Sequence, residues 1–212
     1  MVIMMIMLSL SGLLGLQGLY DGMISHMINT TIRSDSGEIS LYAKAYRLHK
    51  SLDQRISNVS NLEKRLSEVE GIDAYAIRLE QEGLVATAHK SLGAKLKGIS
   101  LENEKKFGGL DAFITQGEYS FGKDEKNALI GAALAKKFNL SIGSRLIFTA
   151  QDATGEINSI SFRISGILKT GNISIDEHTV FISMEKISKF LNLQQSATQI
   201  ALRVKEVENI KE

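Results

Sequence analysis

The first twenty residues of the chain carry no charged side chain, and Asp21 is the first ionisable residue. A helix rises 1.5 Å per residue, so this stretch would span roughly 30 Å, about the thickness of the hydrocarbon core of a bilayer. Tyr20 falls where an interfacial aromatic residue would lie. The stretch therefore predicts one membrane-spanning helix at the N-terminus.

The same segment could instead be a cleaved signal peptide, a buried core helix or a helix lying flat on a membrane. A signal peptide usually has a basic start and a small-residue cleavage site, whereas the first basic residue here is Arg33 and no A-x-A pattern is present. A core helix is rarely apolar all round in a domain of this size, and an interfacial helix needs a charged face. A membrane-spanning helix agrees best with these residues.

The helical period continues beyond the apolar segment, with an apolar or aromatic residue at every fourth position: Tyr20, Ile24, Ile28 and Ile32. We interpret this continuation as a stalk that lifts the next domain off the membrane. Met23, His26 and Met27 share one face of it and resemble a soft-metal site, but no further ligand is in view. The pattern favours a packed or partner-facing stripe, and we expect no metal.

The first half of the chain after the stalk predicts a β-α-β-β-β order. The sequence SDSG at 34–37 indicates a turn, and Ser60 with Glu63 resembles a helix-capping box whose helix would end at Gly71. The apolar stripe of that helix is Val59, Leu62, Leu66 and Val69. Alternating or apolar runs predict strands at Ile39–Tyr46, Ile72–Leu79, Leu84–His89 and Ala94–Ile99, with a turn at Gln81–Gly83.

The second half predicts a mixture of strands and short helices after a polar connection, residues 101–127, in which Phe113 and Ile114 are the expected buried anchors. The predicted strands are Ala128–Ile130, Arg145–Ala150, Ser159–Leu168, Thr179–Ser183 and Ile200–Val204. The predicted helices are Ala132–Phe138, Met184–Leu191 and a new one beginning within 207–212. The loop Gln151–Glu156 is expected to join a hairpin. The fold class is therefore mixed α+β.

Composition excludes several functions. The chain has 25 Lys+Arg against 24 Asp+Glu, a net charge of +1, which gives nucleic acid no electrostatic attraction. No cysteine is present, so disulfides, thiolate metal sites and cysteine nucleophiles are excluded. The four histidines, His26, His49, His89 and His178, are scattered without metal-ligand spacing. We expect no cofactor and no metal.

Catalytic patterns are also weak. Residues 117–124, GEYSFGKD, have the G-x-x-x-x-G-K spacing of a phosphate-binding loop, but Asp124 stands where magnesium coordination wants a hydroxyl. No apolar strand is predicted before Gly117, so the segment is interpreted as a surface loop. Carboxylates such as Asp73, Asp111, Asp152 and Asp176 could pair in space, although any chain of this length offers such pairs. Nothing in the sequence favours an enzyme.

Three segments taken in order, ALIGAALAKKFNLSIGSRLIFTA, ISFRISGILKTGNISIDEHTVFISMEKISKFL and ATQIALRV, resemble the MacB-like periplasmic core domain of FtsX-type ABC permeases. Among these permeases the pattern is most similar to the lipoprotein-releasing permeases LolC and LolE. The matching positions are Gly131, Leu134, Ala135, Leu140, Gly143, Phe162, Gly166, Thr170, Gly171, Asp176, Val180 and Phe181. The resemblance implies that the glycines serve backbone geometry and that no motif residue is catalytic.

The resemblance implies an architecture of three parts. These are the end of a membrane helix with its stalk (1–35), a discontinuous porter-like subdomain (36–100 and 200–212) and an inserted sabre-like subdomain (101–199). It also implies a location in the bacterial inner membrane with the bulk of the chain in the periplasm.

The implied partners are a second permease subunit, identical or different, a separate cytoplasmic ABC ATPase that hydrolyses ATP, and a lipoprotein or other lipophilic substrate. A periplasmic chaperone or adaptor is a further candidate. However, the turn Gln151–Glu156 is short and has no proline, unlike the chaperone-recruiting hairpin of the LolC type. The family's permeases also have further membrane helices after this domain, so we expect the chain to be a portion of a longer permease.

Two other functions stay open. A MacB-like efflux or FtsX-like signalling permease would share the fold, and a single-pass membrane-anchored binding or sensor protein would share the N-terminal helix.

Overall fold

The N-terminal segment forms one long helix, α1 (Val2–Thr31), in a computed structural model that describes residues 1–44, 46 and 52–205. The span Val2–Ser25 has a mean hydropathy of 2.0, and none of it is buried against the rest of the described chain. The helix is long and apolar enough to cross a membrane. It continues without a break into a π-helical turn, Ile32–Ser36, which confirms that the helical period extends beyond the apolar segment. The role of this continuation as a stalk stays a prediction.

Short helices and many strands make up the rest of the fold. The helices are α2 (Val59–Glu68), α3 (Leu101–Gly108), α4 (Ala132–Phe138), α5 (Ile173–His178) and α6 (Met184–Phe190). The strands are β1 (Ile39–Tyr42), β2 (Ile56–Ser57), β3 (Ile72–Ala86), β4 (Ser91–Ile99), β5 (Ile114–Gly117), β6 (Asn127–Gly131), β7 (Arg145–Gln151), β8 (Ile157–Leu168), β9 (Thr179–Ser183), β10 (Ser196–Ala197) and β11 (Gln199–Val204). The mixed α+β class is therefore confirmed.

Strand β3 takes part in two regions of one sheet. Its first half pairs with β11, which pairs with β1, and all three are antiparallel. Its second half pairs with β4 and, over Leu84–Ala86, with β7. From β4 the order continues through β9, β6, β8 and β7 and returns to β3, so that six strands close into a ring. Strand β5 adds to the outside of this ring at β8.

The main hydrophobic core lies inside the ring, because alternate residues of each ring strand contribute to it. Its members include Leu79, Leu96, Ile130, Phe148, Phe162 and Val180. A second cluster packs α3 and the segment after β5 against the ring, and its members include Ile99, Leu110, Phe121, Leu129 and Phe181. A third lies between α2 and the strands β3 and β11, where Leu66, Ile77 and Ile200 meet.

The elements β6, α4, β9 and α6 confirm the strands and helices predicted for those segments, with differences of one residue at some ends. The hairpin β7–β8 joined by 152–156 is confirmed as well. Helix α2 ends at Glu68, with Val69 as its C-cap residue, and so stops earlier than the predicted end at Gly71. Gly71, at φ +98°, lies in the turn that leads into β3.

The predicted turn at Gln81–Gly83 is wrong, because β3 runs through it as one strand. Gly83 instead marks a close approach of two strands: a Cβ there would lie 2.4 Å from the carbonyl oxygen of Thr149 and 2.6 Å from the Phe148 ring. A glycine inside a strand is needed wherever a neighbouring backbone comes this close.

Four smaller predictions are also wrong. The residue before α2 is Asn58, so Ser60 lies within the helix and forms no capping box. Val69 is exposed, and Leu41 is 39% exposed. Segment 101–127 contains α3 and β5, and its buried anchors are Phe107, Leu110 and Phe121. Helix α5 was not predicted. Ala45 and the helix expected within 207–212 lie outside the described residues.

Candidate functional site

The end of the stalk is bound to the folded part by charged side chains. Asp35 lies in the π-helical turn, and Lys97 of β4 places its Nζ 2.6 Å from Asp35 Oδ1. Arg78 of β3 donates a hydrogen bond to the backbone carbonyl of Asp35, and its Nη1 is 3.8 Å from the Asp35 carboxylate. Two basic residues on adjacent strands therefore hold one short turn.

The sheet register brings these groups together. Side chains alternate between the two faces of a strand, so Arg78 and Glu80 on β3 share a face, as do Lys95 and Lys97 on β4. Glu80 lies directly opposite Lys97 in the β3–β4 pairing. The Glu80 carboxylate is 2.7 Å from Lys97 Nζ and 2.9 Å from Lys95 Nζ. The charges thus line the outer face of the ring, where the stalk reaches it.

Helix α3 completes the arrangement. Both oxygens of Glu104 accept hydrogen bonds from Arg78, at 2.5 Å from Nε and 2.8 Å from Nη2. The Arg78 guanidinium also lies 5.2 Å from the centre of the Phe107 ring, within range of a cation–π interaction. We call Asp35, Arg78, Glu80, Lys97 and Glu104 the stalk-end network.

The network is buried except at Asp35. Arg78 is 1% exposed and Lys97 2%, whereas the Asp35 side chain is 33% exposed. Burial on its own would favour the uncharged forms of these groups, but the nearby opposite charges favour the charged forms more strongly. Lys97 and Lys95 lower the pKa of Glu80 to about 2 despite burial. Burial likewise opposes ionisation of Asp35, and Lys97 and Arg78 more than compensate, so its pKa is lowered.

The basic members shift in the opposite direction. Burial disfavours the charged form of Lys97, yet Glu80 and Asp35 raise its pKa. Burial likewise disfavours the charged Arg78 guanidinium, and Glu104 raises its pKa. Asp35, Arg78, Glu80 and Lys97 therefore remain charged at neutral pH, and the arrangement is suited to mechanical attachment and not to proton transfer.

Backbone contacts reinforce the attachment just after the stalk. Gly37 has φ +65°, and a Cβ there would lie 2.5 Å from the carbonyl oxygen of Leu202 and 2.8 Å from the Phe107 ring. The next amide, of Glu38, donates to the same Leu202 oxygen at 3.1 Å. The chain therefore passes between β11 and α3 in a space that only glycine fits.

Several family-motif residues meet at the end of β8. Asp176 accepts hydrogen bonds from the Thr170 amide at 2.9 Å, the Thr170 hydroxyl at 2.9 Å and the Gly171 amide at 3.1 Å. A Cβ on Gly131 would lie 2.2 Å from the backbone oxygen of Asp176. These four residues fix the turn from β8 into α5 against the start of α4.

The other motif residues lie apart from that turn. Leu134, Ala135 and Phe162 are buried in the main core. Gly166 lies against the backbone of Glu118, and Gly143 has φ +84° in the turn before β7. Their assignment as motif residues with a purely structural role stays a prediction.

The remaining sequence candidates do not form a catalytic constellation. Gly117–Asp124 leads from β5 into strand β6 without an intervening helix, so it lacks the helix N-terminus of a phosphate-binding loop. The four carboxylates considered above have separate partners. Asp73 is paired with Arg203, Asp111 with Lys105, Asp152 with the turn after β7, and Asp176 with Thr170 and Gly171.

Metal-binding side chains are likewise dispersed. Within the described residues, no three of the side chains His, Asp or Glu come together as a metal site. Met23 and Met27 are exposed on α1. The side chain of His26 and the whole of His49 lie outside the described part of the chain.

The stalk-end network was not predicted from the sequence. The signal was present as charged residues alternating with apolar ones in two neighbouring strands, RLE at 78–80 and KLK at 95–97. Opposite charges at alternate positions of two strands that pair suggest a cross-strand ion pair. Asp35 and Glu104 could not be found this way, because only the tertiary fold brings them to β3.

Comparison with known proteins gives a consistent result. The sequence matches the family described as the MacB-like periplasmic core domain over residues 1–212. The fold is similar to that of the periplasmic region of MacB from Actinobacillus actinomycetemcomitans, with a TM-score of 0.57 and 14% identity over 81% of this chain and 76% of that chain.

It is also similar to the extracellular domain of the noncanonic ABC-type transporter YknZ from Gram-positive bacteria. The TM-score is 0.56 and the identity 12%, over 81% of this chain and 85% of that chain. At these identities the structural similarities show the fold alone. No curated protein matches the chain.

The family match covers the whole chain, and the apolar helix α1 precedes a folded part of the expected class. The chain belongs to the MacB-like periplasmic core domain family, held at the membrane by α1 with the bulk of its residues in the periplasm.

Proposed function

We propose that the chain is the periplasmic domain of an ABC transporter permease and that it transmits movement of the membrane helix to the folded part. The supporting observation is the stalk-end network, in which Lys97 and Arg78 hold Asp35 at the end of α1. A permease component of this kind is not itself an enzyme. ATP hydrolysis would take place on a separate cytoplasmic ATPase.

The physical basis of transmission is stiffness. Helix α1 and its π-helical turn have continuous backbone hydrogen bonding from Val2 to Ser36. The turn is then fixed by two buried cations and by the tight passage at Gly37. A tilt or rotation of α1 would therefore move β3, β4 and α3 together instead of being absorbed by a loose linker.

The narrower proposal concerns substrate and partners. Resemblance of the motif residues to LolC and LolE supports a lipoprotein as the substrate and a second permease subunit as the partner. The short loop between β7 and β8, closed by hydrogen bonds to Asp152, does not support recruitment of a chaperone by this hairpin. We further propose the division into 1–35, 36–100 with 200–212, and 101–199, in which β3 and β4 would join the two folded parts through their pairing with β7 and β9.

Uncoupling tests the transmission directly. In membranes containing the complete transporter, Asp35→Asn and Lys97→Gln should lower the substrate moved per ATP hydrolysed while ATP hydrolysis continues. Lys105→Gln is the matched control, because Lys105 is exposed and its pair with Asp111 lies outside the network. Unchanged transport per ATP in both network variants would refute the proposal. Loss of lipoprotein release, measured by retention of labelled lipoproteins in the inner membrane, would support the narrower substrate.

A second measurement isolates the mechanical step. The chain has no native cysteine, so spin labels can be introduced at Ser25→Cys in α1 and Ser91→Cys in β4 without interference. We expect a narrow distance distribution in lipid nanodiscs and a broader one after Lys97→Gln, because only one of the two cations that contact Asp35, Arg78, then remains. Equal widths would show that the network does not fix the stalk.

A further inference from the structure

A basic cleft of about 330 Å³ lies where the loop before β6 meets β7 and β8. Four cationic side chains line it, Lys123, Lys126, Arg145 and Arg163, together with a single carboxylate, Asp124. The lining therefore carries a net charge of +3, although the whole chain carries only +1. The cations that line this cleft therefore outnumber its carboxylates four to one.

Strand pairing forces the two arginines together. Arg145 on β7 lies directly opposite Arg163 on β8. Residues in such positions have Cβ atoms about 5 Å apart, and like charges there destabilise a sheet. The amide of Arg163 donates to the carbonyl of Lys126 at 3.1 Å, which brings a third basic residue alongside. The protein thus maintains a repulsive arrangement on rigid elements.

The cleft's own carboxylate does not balance this charge. Asp124 pairs with Lys126 at 3.2 Å, and both side chains are largely exposed. Arg163 Nη1 donates to the carbonyl of Gly143 at 3.3 Å, and the other guanidinium donors form no hydrogen bond within the described residues. Across residues 1–44, 46 and 52–205, neither Lys123, Arg145 nor Arg163 forms an ion pair.

The loop carrying Lys123 is held in place. Phe121 is buried in the second hydrophobic cluster, and its carbonyl accepts from the amide of Asn127 at 3.2 Å. Gly122 has φ +73° and packs against the Asn127 side chain. The segment that has phosphate-loop spacing in the sequence therefore presents its lysine to the cleft, although no helix follows it. A cleft formed in advance binds with a smaller loss of conformational entropy.

We propose that this cleft binds a phosphate-bearing anion. Arginine presents a planar set of donors that matches two oxygens of a phosphate group, and two adjacent arginines with a lysine suit a doubly charged one. The phosphate could belong to a soluble phosphoester or to the headgroup of a lipid. This proposal is independent of the transmission function, because the cleft shares no residue with the stalk-end network.

Calorimetric titration of the whole chain in maltoside micelles, at constant ionic strength, tests the proposal. One arm uses pyrophosphate and the other dihexanoyl phosphatidate, so that a soluble phosphate and a lipid headgroup are compared. We expect saturable binding in at least one arm and a loss of about tenfold or more in affinity for Arg145→Gln with Arg163→Gln. The control is Lys136→Gln with Lys137→Gln, which removes the same charge from exposed positions on α4.

The outcomes are distinct. Binding of pyrophosphate alone, of phosphatidate alone or of both supports the site and identifies the source of the phosphate. Absence of saturable binding in both arms overturns it, as does an equal loss in the arginine and lysine variants. Should the double arginine variant unfold at a lower temperature than the unsubstituted chain, Lys123→Gln replaces it. As a loop substitution it should weaken binding severalfold, and unchanged affinity would overturn the proposal.

Discussion

Replacement of Lys97 by methionine removes the cation shared by the stalk and the ring. Lys97 is 2% exposed, and its Nζ contacts Asp35 at 2.6 Å and Glu80 at 2.7 Å. Methionine is unbranched and can fill most of the space that the lysine leaves. The substitution therefore tests charge pairing more than packing.

The expected loss of unfolding free energy depends on the partners that Asp35 and Glu80 retain without Lys97. Removing one partner of a buried ion pair usually costs about 3–5 kcal/mol, because the remaining charge is buried without compensation. Glu80 retains Lys95 at 2.9 Å, and Asp35 is 33% exposed and reaches water. Both facts place Lys97→Met at the lower end, at about 3 kcal/mol of unfolding free energy.

Urea unfolding of the whole chain in detergent micelles measures this cost. The chain has no tryptophan, and four of its five tyrosines lie outside α1, so tyrosine fluorescence reports on the folded part. Lys105→Met is the control, since the pair that the exposed Lys105 forms with Asp111 should contribute less than about 1 kcal/mol. Adding Glu80→Gln to Lys97→Met should recover about half of the loss, because the stranded charge is then removed.

Two results would refute this expectation. A cost for Lys97→Met no greater than that of the Lys105 control would mean that the pairs with Asp35 and Glu80 contribute nothing net. A double variant less stable than Lys97→Met would mean that the uncompensated Glu80 charge is not the source of the loss.

Three further outcomes are expected. Glu80→Gln should cost about 3 kcal/mol at pH 7, as the difference between an ordinary pKa of 4.5 and a folded value of about 2 requires. Because this pKa is lowered on folding, its contribution is present above pH 4.5 and disappears as the pH falls towards 2, so the variant should show a flatter acid-unfolding profile by fluorescence. Gly83→Ala should lower the unfolding free energy, measured in urea, by about 2 kcal/mol, since the backbone carbonyl of Thr149 cannot move away from the new methyl group. Gly93→Ala should leave it unchanged, because no atom lies within 4 Å of a Cβ at that position. Asp176→Ala should cost about 2–3 kcal/mol and speed hydrogen exchange at the amides of Thr170 and Gly171, which lose their acceptor; unchanged exchange would contradict the role of Asp176.

The parts of the fold that could be predicted are those with a local signal. Helix α4 and strand β9 have the composition and periodicity of their class, and the apolar run at the N-terminus can form little other than a helix. The turn at Gln81–Gly83 was predicted wrongly because a glycine is typical both of a turn and of a close approach between two strands. Only the position of Phe148 in the folded structure decides between the two. Helix α5 was missed because its six residues depend on capping by Asn172 and on tertiary packing.

The candidate sites divide in the same way. Glu80 and Lys97 follow an alternating pattern that becomes informative once two strands are known to pair. Asp35 contributes from a turn 62 positions away from Lys97, a separation at which no sequence pattern operates. One part of the basic cleft could be identified from the sequence, since the spacing around Lys123 resembles that of a phosphate-binding loop. The position of Arg145 opposite Arg163 could not, because it depends on the register of β7 and β8.

Strand β3 has a consequence for where the molecule can bend. Its 15 residues form one uninterrupted strand, which belongs to the three-stranded region at one end and to the closed ring at the other. Rotation of the three-stranded region against the ring would break several backbone hydrogen bonds of β3 at once. The lost bonds could not form elsewhere, because a closed ring has no unpaired strand edge. The three-stranded region and the ring should therefore move together as one rigid body. Large conformational changes should occur at its borders, where it meets the bilayer or a neighbouring subunit.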